Sequence, residues 1–599
     1  MALEQPGNKQ RHRRLGLPTG TAEIWLERSG ARVAMHTTFP NGSGTGYWDA
    51  CQSEGCLGEA VDRNARCLLH ATPDMREQYL SSLTNGELQR LSLRGVSVSQ
   101  ELLEVVLRSH IFRDKRVMIP LDLTGADMDA RATLADYKFD QYVTLNGSII
   151  REQKGFRFER CEFRRGLTGS YCLCDGGVPA FINSKFLEDV NISYMAVERT
   201  SLGFTDCEFS KSLIADGLHF EKAGFHIRNC TVRANMYVRN ALIAVIQMEG
   251  GEIGEEIDIT GTRCEAFRAQ HITAQMAHQL GPIEVANDCT LAHSRFHSRI
   301  RIELRSSTLD LIGTLFSKGG SIIARQSRMT LKQVSVGTSL LVAGLSENED
   351  RPEVLSVQDA DAGSMAFNNV DMSRCVFHGA HDLGRVVIEP TVTFAGTPAR
   401  RFFSRRRCVA DEFAWRLNAG GLRAWGWSLP GTRRAGAPLD PHASQQTVEL
   451  PVLRAIEVAS VYRDLRRSVE LRADQPGAAD FYYGEMEMRR HSTERGLPEQ
   501  AVVWIYWALS GYGLRALRAF FALLLLVCAG TLALRYTGFE SGCVTFQKAA
   551  ISSLRSIVPG MRYQESLTPA GSVIEIVLRA VSPLLIALWI LALRNRVKR

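Results

Sequence analysis

Cys51 and Cys56 are separated by four residues, and after ten more come Cys67 and His70 at i and i+3, within "YWDACQSEGCLGEAVDRNARCLLH". Two thiolates on a turn, followed by a helix presenting Cys and His on one face, can close a tetrahedral sphere around structural zinc. All four ligands are then protein atoms, so no coordination position is left for catalysis. Three unrelated thiols and a surface histidine are the alternative. The segment has no basic stripe, so nucleic acid is not an expected partner.

No other spacing in the chain carries catalytic chemistry. There is no phosphate-binding Gly-rich loop ending in Lys-Ser or Lys-Thr, no Gly-x-Ser-x-Gly, no His-Glu-x-x-His and no pair of carboxylates placed for acid–base work. Tyr482, Tyr483, Glu485, Glu487 and Arg490 cluster, but they read as an amphipathic helix with Tyr and Met on one face and charges on the other. The expectation is a protein that is not an enzyme. The fourteen cysteines are scattered over 599 residues and are expected to be reduced, small core residues rather than a disulfide framework.

The net charge of +7 is unevenly spread: about +2 over residues 1–120, −7 over 121–390 and +12 over 391–599. The basic excess thus lies beside the apolar segments, which points to a membrane surface. "MALEQPGNKQRHRRLG" has no apolar stretch behind its basic residues, so the bulk of the chain is expected in the cytoplasm. Between the cysteines and the middle of the chain, "DMREQYLSSL" and "SQELLEVVLRSHI" carry helical spacing, with Ser97 and Ser99 as start signals for the second helix.

From "LDLTGADMDARATLADYKFD" onward, large apolar residues recur every five positions. Leu123 and Met128 are such a pair, as are Leu134 and Phe139, Phe158 and Phe163, Phe181 and Phe186, Phe204 and Phe209, and Phe220 and Phe225; Phe367, Met372 and Phe377 continue it later. A small residue (Cys161, Ser184, Cys207, Ala223, Cys375) often sits two before the second large one. Neither the helical nor the strand period is five, whereas a chain that turns a corner every five residues and stacks coil on coil has that period. These segments resemble pentapeptide-repeat proteins, and the resemblance implies a right-handed quadrilateral β-helix with the large residues as its core. Between 240 and 360 the spacing drifts, which suits less regular coils. Some members of that family mimic DNA, a use that requires a strongly acidic rod; residues 121–390 carry 28 Lys/Arg against 35 Asp/Glu, with the signs interspersed.

Residues 391–450 are basic and rich in Gly, Pro and Trp, and read as a linker. Two helices then follow, broken at Gln475-Pro476-Gly477. The stretch "VYRDLRRSVE...GAADFYYGEMEMRRH...SGYGLRALRAF" is similar to the C-terminal module of bacterial pentapeptide-repeat membrane proteins, in which such helices lead into two transmembrane segments. The first apolar run, Ala519 to Leu534, lies between Arg518 and Arg535, and is short enough that the helix must continue past both arginines. The second, about 571–593, contains Glu575 and Arg579 as an i,i+4 pair near the span's outer end. The basic "LRNRVKR" after it predicts cytoplasmic N- and C-termini by the positive-inside rule.

Gly511-Tyr512-Gly513 shares three letters with a potassium-channel filter, but it precedes the first apolar run and follows Ala508-Leu509-Ser510. It is expected to be a flexible break after the aromatic helix "VVWIYWAL". The loop between the spans, "FQKAAISSLRSIVPGMRY", keeps a re-entrant pore helix open as an alternative.

The expected multidomain organisation is a polar segment (1–45), a zinc knuckle with a helical cap (46–118), the β-helix (119–390), the linker (391–450), juxtamembrane amphipathic helices (451–513), and a two-span hairpin (514–599) with spans at about 517–536 and 571–593. The expected role is a scaffold or sensor in the bacterial inner membrane. Its partners would be lipid and a protein that the sequence does not name. The alternative is a homo-oligomeric pore with a cytoplasmic regulatory β-helix.

Overall fold

The computed structural model describes residues 22–28, 31–37, 48–86, 88–152, 154–345, 351–398, 405–424, 427, 452–492, 496–540, 542–558 and 566–597. Most of the 391–450 linker, Pro559-Gly560 of the inter-span loop and the terminal Lys598 and Arg599 lie outside the described residues. So does the polar segment 1–45, apart from the antiparallel strands Ala22–Arg28 and Ala31–Thr37. The chain forms two compact units, 1–265 and 266–599.

The first unit is a parallel β-solenoid preceded by short helices: α1 (Pro73–Thr84), α2 (Gln100–Arg108) and α3 (His110–Arg113). Thr72 caps α1 and Pro73 occupies its first turn; Ser99 caps α2 by accepting the Leu102 amide at 3.3 Å. Parallel pairing already begins between the helices, where Leu91 pairs with Leu121 and Val98 with Met128. Side chains alternate in and out along each short strand, as in Arg131–Ala135, so one face of every strand lines the core.

The five-residue pairs become stacked columns. Phe139, Phe163, Phe186 and Phe209 are in direct register, with rings 4.9, 4.9 and 4.8 Å apart, while Phe158, Phe181 and Phe204 form a second column. These distances equal the spacing of neighbouring strands, which is about 4.8 Å. Met128, Phe220 and Phe225 are buried with them. The coil is longer than four fives: Phe139 to Phe163 is 24 residues and the next two steps are 23. The five-residue step therefore describes one Phe–Phe corner of each coil, and the other sides carry extra residues. Polar residues in left-handed conformation recur at one corner, at Asn183, Asp206 and Asn229.

The outer face interlaces its charges from coil to coil. Asp136 lies between Lys115 (3.2 Å) and Arg160 (2.7 Å), and Asp140 between Arg116 (2.7 Å) and Arg164 (3.4 Å). Such exposed pairs contribute little singly, but they set opposite charges beside one another from coil to coil so that like charges do not stack.

The second unit begins with more solenoid. Here the step is twenty residues, from Ile302 to Ile322 to Val342, in the region where the sequence spacing of large residues fades. Phe367, Met372 and Phe377 are buried in its last coils. The stack ends at helix α4 (Ala410–Ala419), where the buried Asp411 accepts the backbone amides of Phe377 (3.0 Å) and His378 (2.9 Å). Burial pushes the Asp411 carboxyl up to about 6 despite those two donors.

Helices α5 (Gly421–Ala424), α6 (Ala455–Leu471), α7 (Gln475–His491) and α8 (Leu497–Ser510) follow. Gln475-Pro476-Gly477 is not the break between α6 and α7. It forms the first turn of α7, because Asp474 caps the Gly477 amide at 3.0 Å and proline is suited to a helix start.

Among the described residues, two helices are long and apolar enough to cross a membrane, Ala516–Gly538 and Pro569–Arg594. The first is α9 (Ala516–Ala533) extended by a π turn through Gly538, so it does run past Arg518 and Arg535. The second is α11 (Pro569–Val597), and α10 (Phe546–Ile557) lies between them in sequence. Gly571 permits close approach at one end of the pair: a Cβ there would sit 2.2 Å from the Gly538 carbonyl oxygen. Phe520 and Trp589 meet at 5.7 Å along the same helices.

Since each Phe column is shared by successive coils, Phe186→Ala should cost about 3–5 kcal/mol. Loss of amide-exchange protection in the coils containing Phe163 and Phe209 would read this out. Replacing the half-exposed Tyr194 by Ala should leave that protection nearly unchanged.

Candidate metal centre and a buried charge network

In the first unit, the Sγ atoms of Cys51, Cys56 and Cys67 and a ring nitrogen of His70 all lie within 4.8 Å of one another, so the cluster can hold a metal ion. Cys51 and Cys56 sit on a small knuckle closed by the Cys51 amide to the Gly58 carbonyl (2.7 Å) and by the Ala50–Glu59 bridge. The Gly58 amide points at the Cys56 sulfur at 3.4 Å. Only glycine fits at position 58, since a Cβ would come 2.9 Å from the Cβ of Cys67.

Cys67 and His70 are not on a helix. They occupy a single turn closed by the His70 and Ala71 amides on the Cys67 carbonyl, and α1 starts only at Pro73 because Thr72 and Pro73 fix its N-terminus there. The turn still sets Cys and His side by side, with Cys67 Sγ 3.4 Å from His70 Nδ1. Cys51 Sγ is 3.5 Å from the same nitrogen, and Cys56 and Cys67 are 3.6 Å apart, far beyond a disulfide bond.

The electrostatics are those of crowded ligands. Burial pushes the Cys51 thiol up, but hydrogen bonds from Ser53, the Cys67 backbone and His70 bring it down to about 6. Burial, with Cys56 beside it, pushes Cys67 up to about 12. A second thiolate in this space therefore needs a cation. The knuckle is seated on the first coil: Trp48 donates to the Leu57 carbonyl at 2.9 Å, Arg94 lies over the Trp48 ring, and Glu59 pairs with Arg90 at 2.7 Å.

In the second unit, helices α4, α6 and α7 hold a feature that is not apparent from the sequence. Glu485, Glu487 and Arg490 are buried rather than on a solvent face. Glu412, fully buried, accepts two hydrogen bonds from Arg406 (2.6 and 2.8 Å), one from Arg416 (2.8 Å) and one from the Tyr462 hydroxyl (2.6 Å). Glu487 receives Arg490 at 2.6 Å and the Tyr512 hydroxyl at 3.2 Å, and Arg416 approaches it at 3.6 Å. Burial opposes ionisation of both carboxyls, yet Arg406 and Arg416 hold Glu412, and His491, Arg490 and Arg416 hold Glu487, below the ordinary glutamate range. The visible signal is the arginine density of every segment that converges here, joined by tryptophan in the segments around Trp415 and Trp504.

Gly511-Tyr512-Gly513 is an ordered turn, all three residues having left-handed backbone (φ 53°, 61° and 73°), with the Tyr512 ring buried against Tyr483. Of the other membrane residues singled out, Arg518 donates to the Trp507 carbonyl at 3.3 Å, Arg535 lies over Tyr536, and Glu575 pairs with Arg579 at 2.7 Å. Compared with known proteins, the chain matches no family model, no curated protein and no solved structure.

Cys67→Ser should strip metal from the purified protein and expose the amides of residues 48–71 to exchange, whereas Cys161→Ser, a buried solenoid thiol, should leave the metal content intact. Unchanged metal content in Cys67→Ser would remove the centre. Glu412→Gln leaves Arg406 and Arg416 buried without their carboxylate and should cost about 3–5 kcal/mol, measured as chemical denaturation of helices α4 to α8.

Proposed function

We propose that the protein is a membrane-anchored scaffold: α9 and α11 form a two-span hairpin in a bacterial cytoplasmic membrane, and the solenoid presents a docking surface to a protein partner on the cytoplasmic side. The observation that carries this reading is the apolar surface of the two helices. Leu517, Phe521, Leu525, Ile576 and Leu584 are each at least 60% exposed, and only 22% of either apolar window is buried. A core helix of a soluble protein would be mostly covered, whereas lipid covers such a surface without help from protein. The solenoid supplies a long face built from short parallel strands, the kind of surface on which repeat proteins hold partners.

The resemblance to pentapeptide-repeat proteins stands within this proposal, as does zinc as the metal. A tetrahedral zinc with about 2.3 Å bonds to sulfur and 2.0–2.1 Å to nitrogen has ligand–ligand edges of roughly 3.5–3.8 Å. The observed 3.4, 3.5 and 3.6 Å separations suit that sphere. With four protein ligands the ion is structural, holding the knuckle on the first coil.

A pore is the second reading, and α10 favours it. This short helix between the spans buries Ala549, Ser552, Ser553 and Ser556 while Phe546, Ile551 and Leu554 stay exposed, which suits a re-entrant helix at an oligomer axis. Light scattering on the detergent-solubilised chain separates the two, since a monomer opposes the pore.

The topology is testable with the exposed Cys543 in the inter-span loop. In intact cells a membrane-impermeant maleimide should label the protein, and Cys543→Ser should abolish the signal. Labelling only after permeabilisation would place that loop inside and overturn the proposed orientation.

A further inference from the structure

The helical part of the second unit forms an open cavity of about 360 Å³, within the size range of small-molecule sites. Its walls carry six guanidinium groups, Arg406, Arg416, Arg423, Arg490, Arg515 and Arg518, and the His491 imidazole. The carboxylates that face these groups are Glu487 in the wall, Glu412 behind Arg406 and Arg416, and Asp480 near Arg515. Three negative charges thus stand against six positive ones among the described residues.

The guanidiniums are held by aromatic rings rather than by hydration alone. Arg490 lies 4.1 Å from the Trp504 ring and 4.2 Å from the Trp507 ring, two rings set nearly perpendicular (82°), and Arg416 lies 4.2 Å over Trp427. Arg406, Arg416 and Arg490 already donate to Glu412 and Glu487, and with Arg423, Arg515 and Arg518 in the same wall they make a set of guanidinium donors of the kind that receives a tetrahedral oxyanion. Burial, with Arg518 and Arg406 nearby, pulls Arg515 below its ordinary value, as expected where positive charge is in excess. The cavity also lies at a particular depth, since Arg515 and Arg518 flank the start of the first apolar helix and Trp504 and Trp507 end the helix before it. Tryptophans and arginines at this position match the headgroup layer of a bilayer.

We propose that this cavity binds a phosphate group, presented either by the headgroup of an anionic phospholipid or by a small soluble phosphate ester. The lipid source rests on the membrane reading above; the soluble source does not.

The test uses the full-length chain in detergent, with dioleoyl phosphatidylglycerol, dioleoyl phosphatidylcholine and sn-glycerol 3-phosphate as probes. The readouts are native mass spectrometry and tryptophan fluorescence. The phosphatidylglycerol should be retained in preference to the phosphatidylcholine. Arg423→Gln and Arg515→Gln, each removing one charge-assisted hydrogen bond, should weaken that binding about tenfold. Arg467→Gln, the same charge loss at an exposed site paired with Asp464, should bind as the unaltered chain does. Competition by sn-glycerol 3-phosphate would assign the site to soluble phosphate esters, and retention of phosphatidylglycerol without such competition would assign it to lipid. Equal retention of the two lipids with no binding of the glycerol phosphate would overturn the proposal. So would unchanged binding in both cavity variants, and neither result depends on whether the hairpin spans a membrane.

Discussion

Parallel stacking of short strands is the constraint on which most of this molecule depends. A coil of twenty to twenty-four residues cannot enclose its own interior: half of every Phe ring in the column from Phe139 to Phe209 is covered by the coil before and half by the coil after. Such a stack always leaves an open face with unpaired backbone groups and uncovered core. In the first unit that face is closed by the Cys/His knuckle and α1–α3 around the Leu91 strand. In the second unit it is closed by Asp411, which takes up two backbone amides of the last coils and brings α4 onto them. The Cys/His knuckle and the helical module are thus solutions to the same end problem.

The helical module solves a further difficulty by the same means. Its segments are rich in arginine, and burying them requires partners. Glu412 and Glu487 each gather several donors, and aromatic rings take the remaining guanidinium faces. The result is a core in which ionic and aromatic contacts alternate, unlike the apolar solenoid interior.

How much of this could be read from the chain alone depends on how local the signal is. The Phe columns were legible because each coil repeats its own pattern, so the large residues mark the interior without knowledge of any contact. The coil length was not, since the residues added on the other sides of each coil carry no pattern. The four Cys/His residues that could hold a metal ion are legible from spacing, but i,i+3 spacing fits both a helix and the turn that holds Cys67 and His70. The charge network was illegible for a different reason. Arg406 and Glu412, Tyr462, Glu487, and Tyr512 come from four separated segments, and α7 viewed in isolation has the composition of an ordinary solvent-facing helix. Only the packing of α4, α6 and α7 turns its charges inward.

The turn at Gly511-Tyr512-Gly513 gives the apolar helix a fixed bearing. With three successive left-handed residues and the Tyr512 hydroxyl held on Glu487, the joint between α8 and α9 is tied directly to the arginine-rich module. A change in the tilt of α9 would therefore be met first at the Glu487 carboxylate and the arginines around it, as a lever meets its fulcrum.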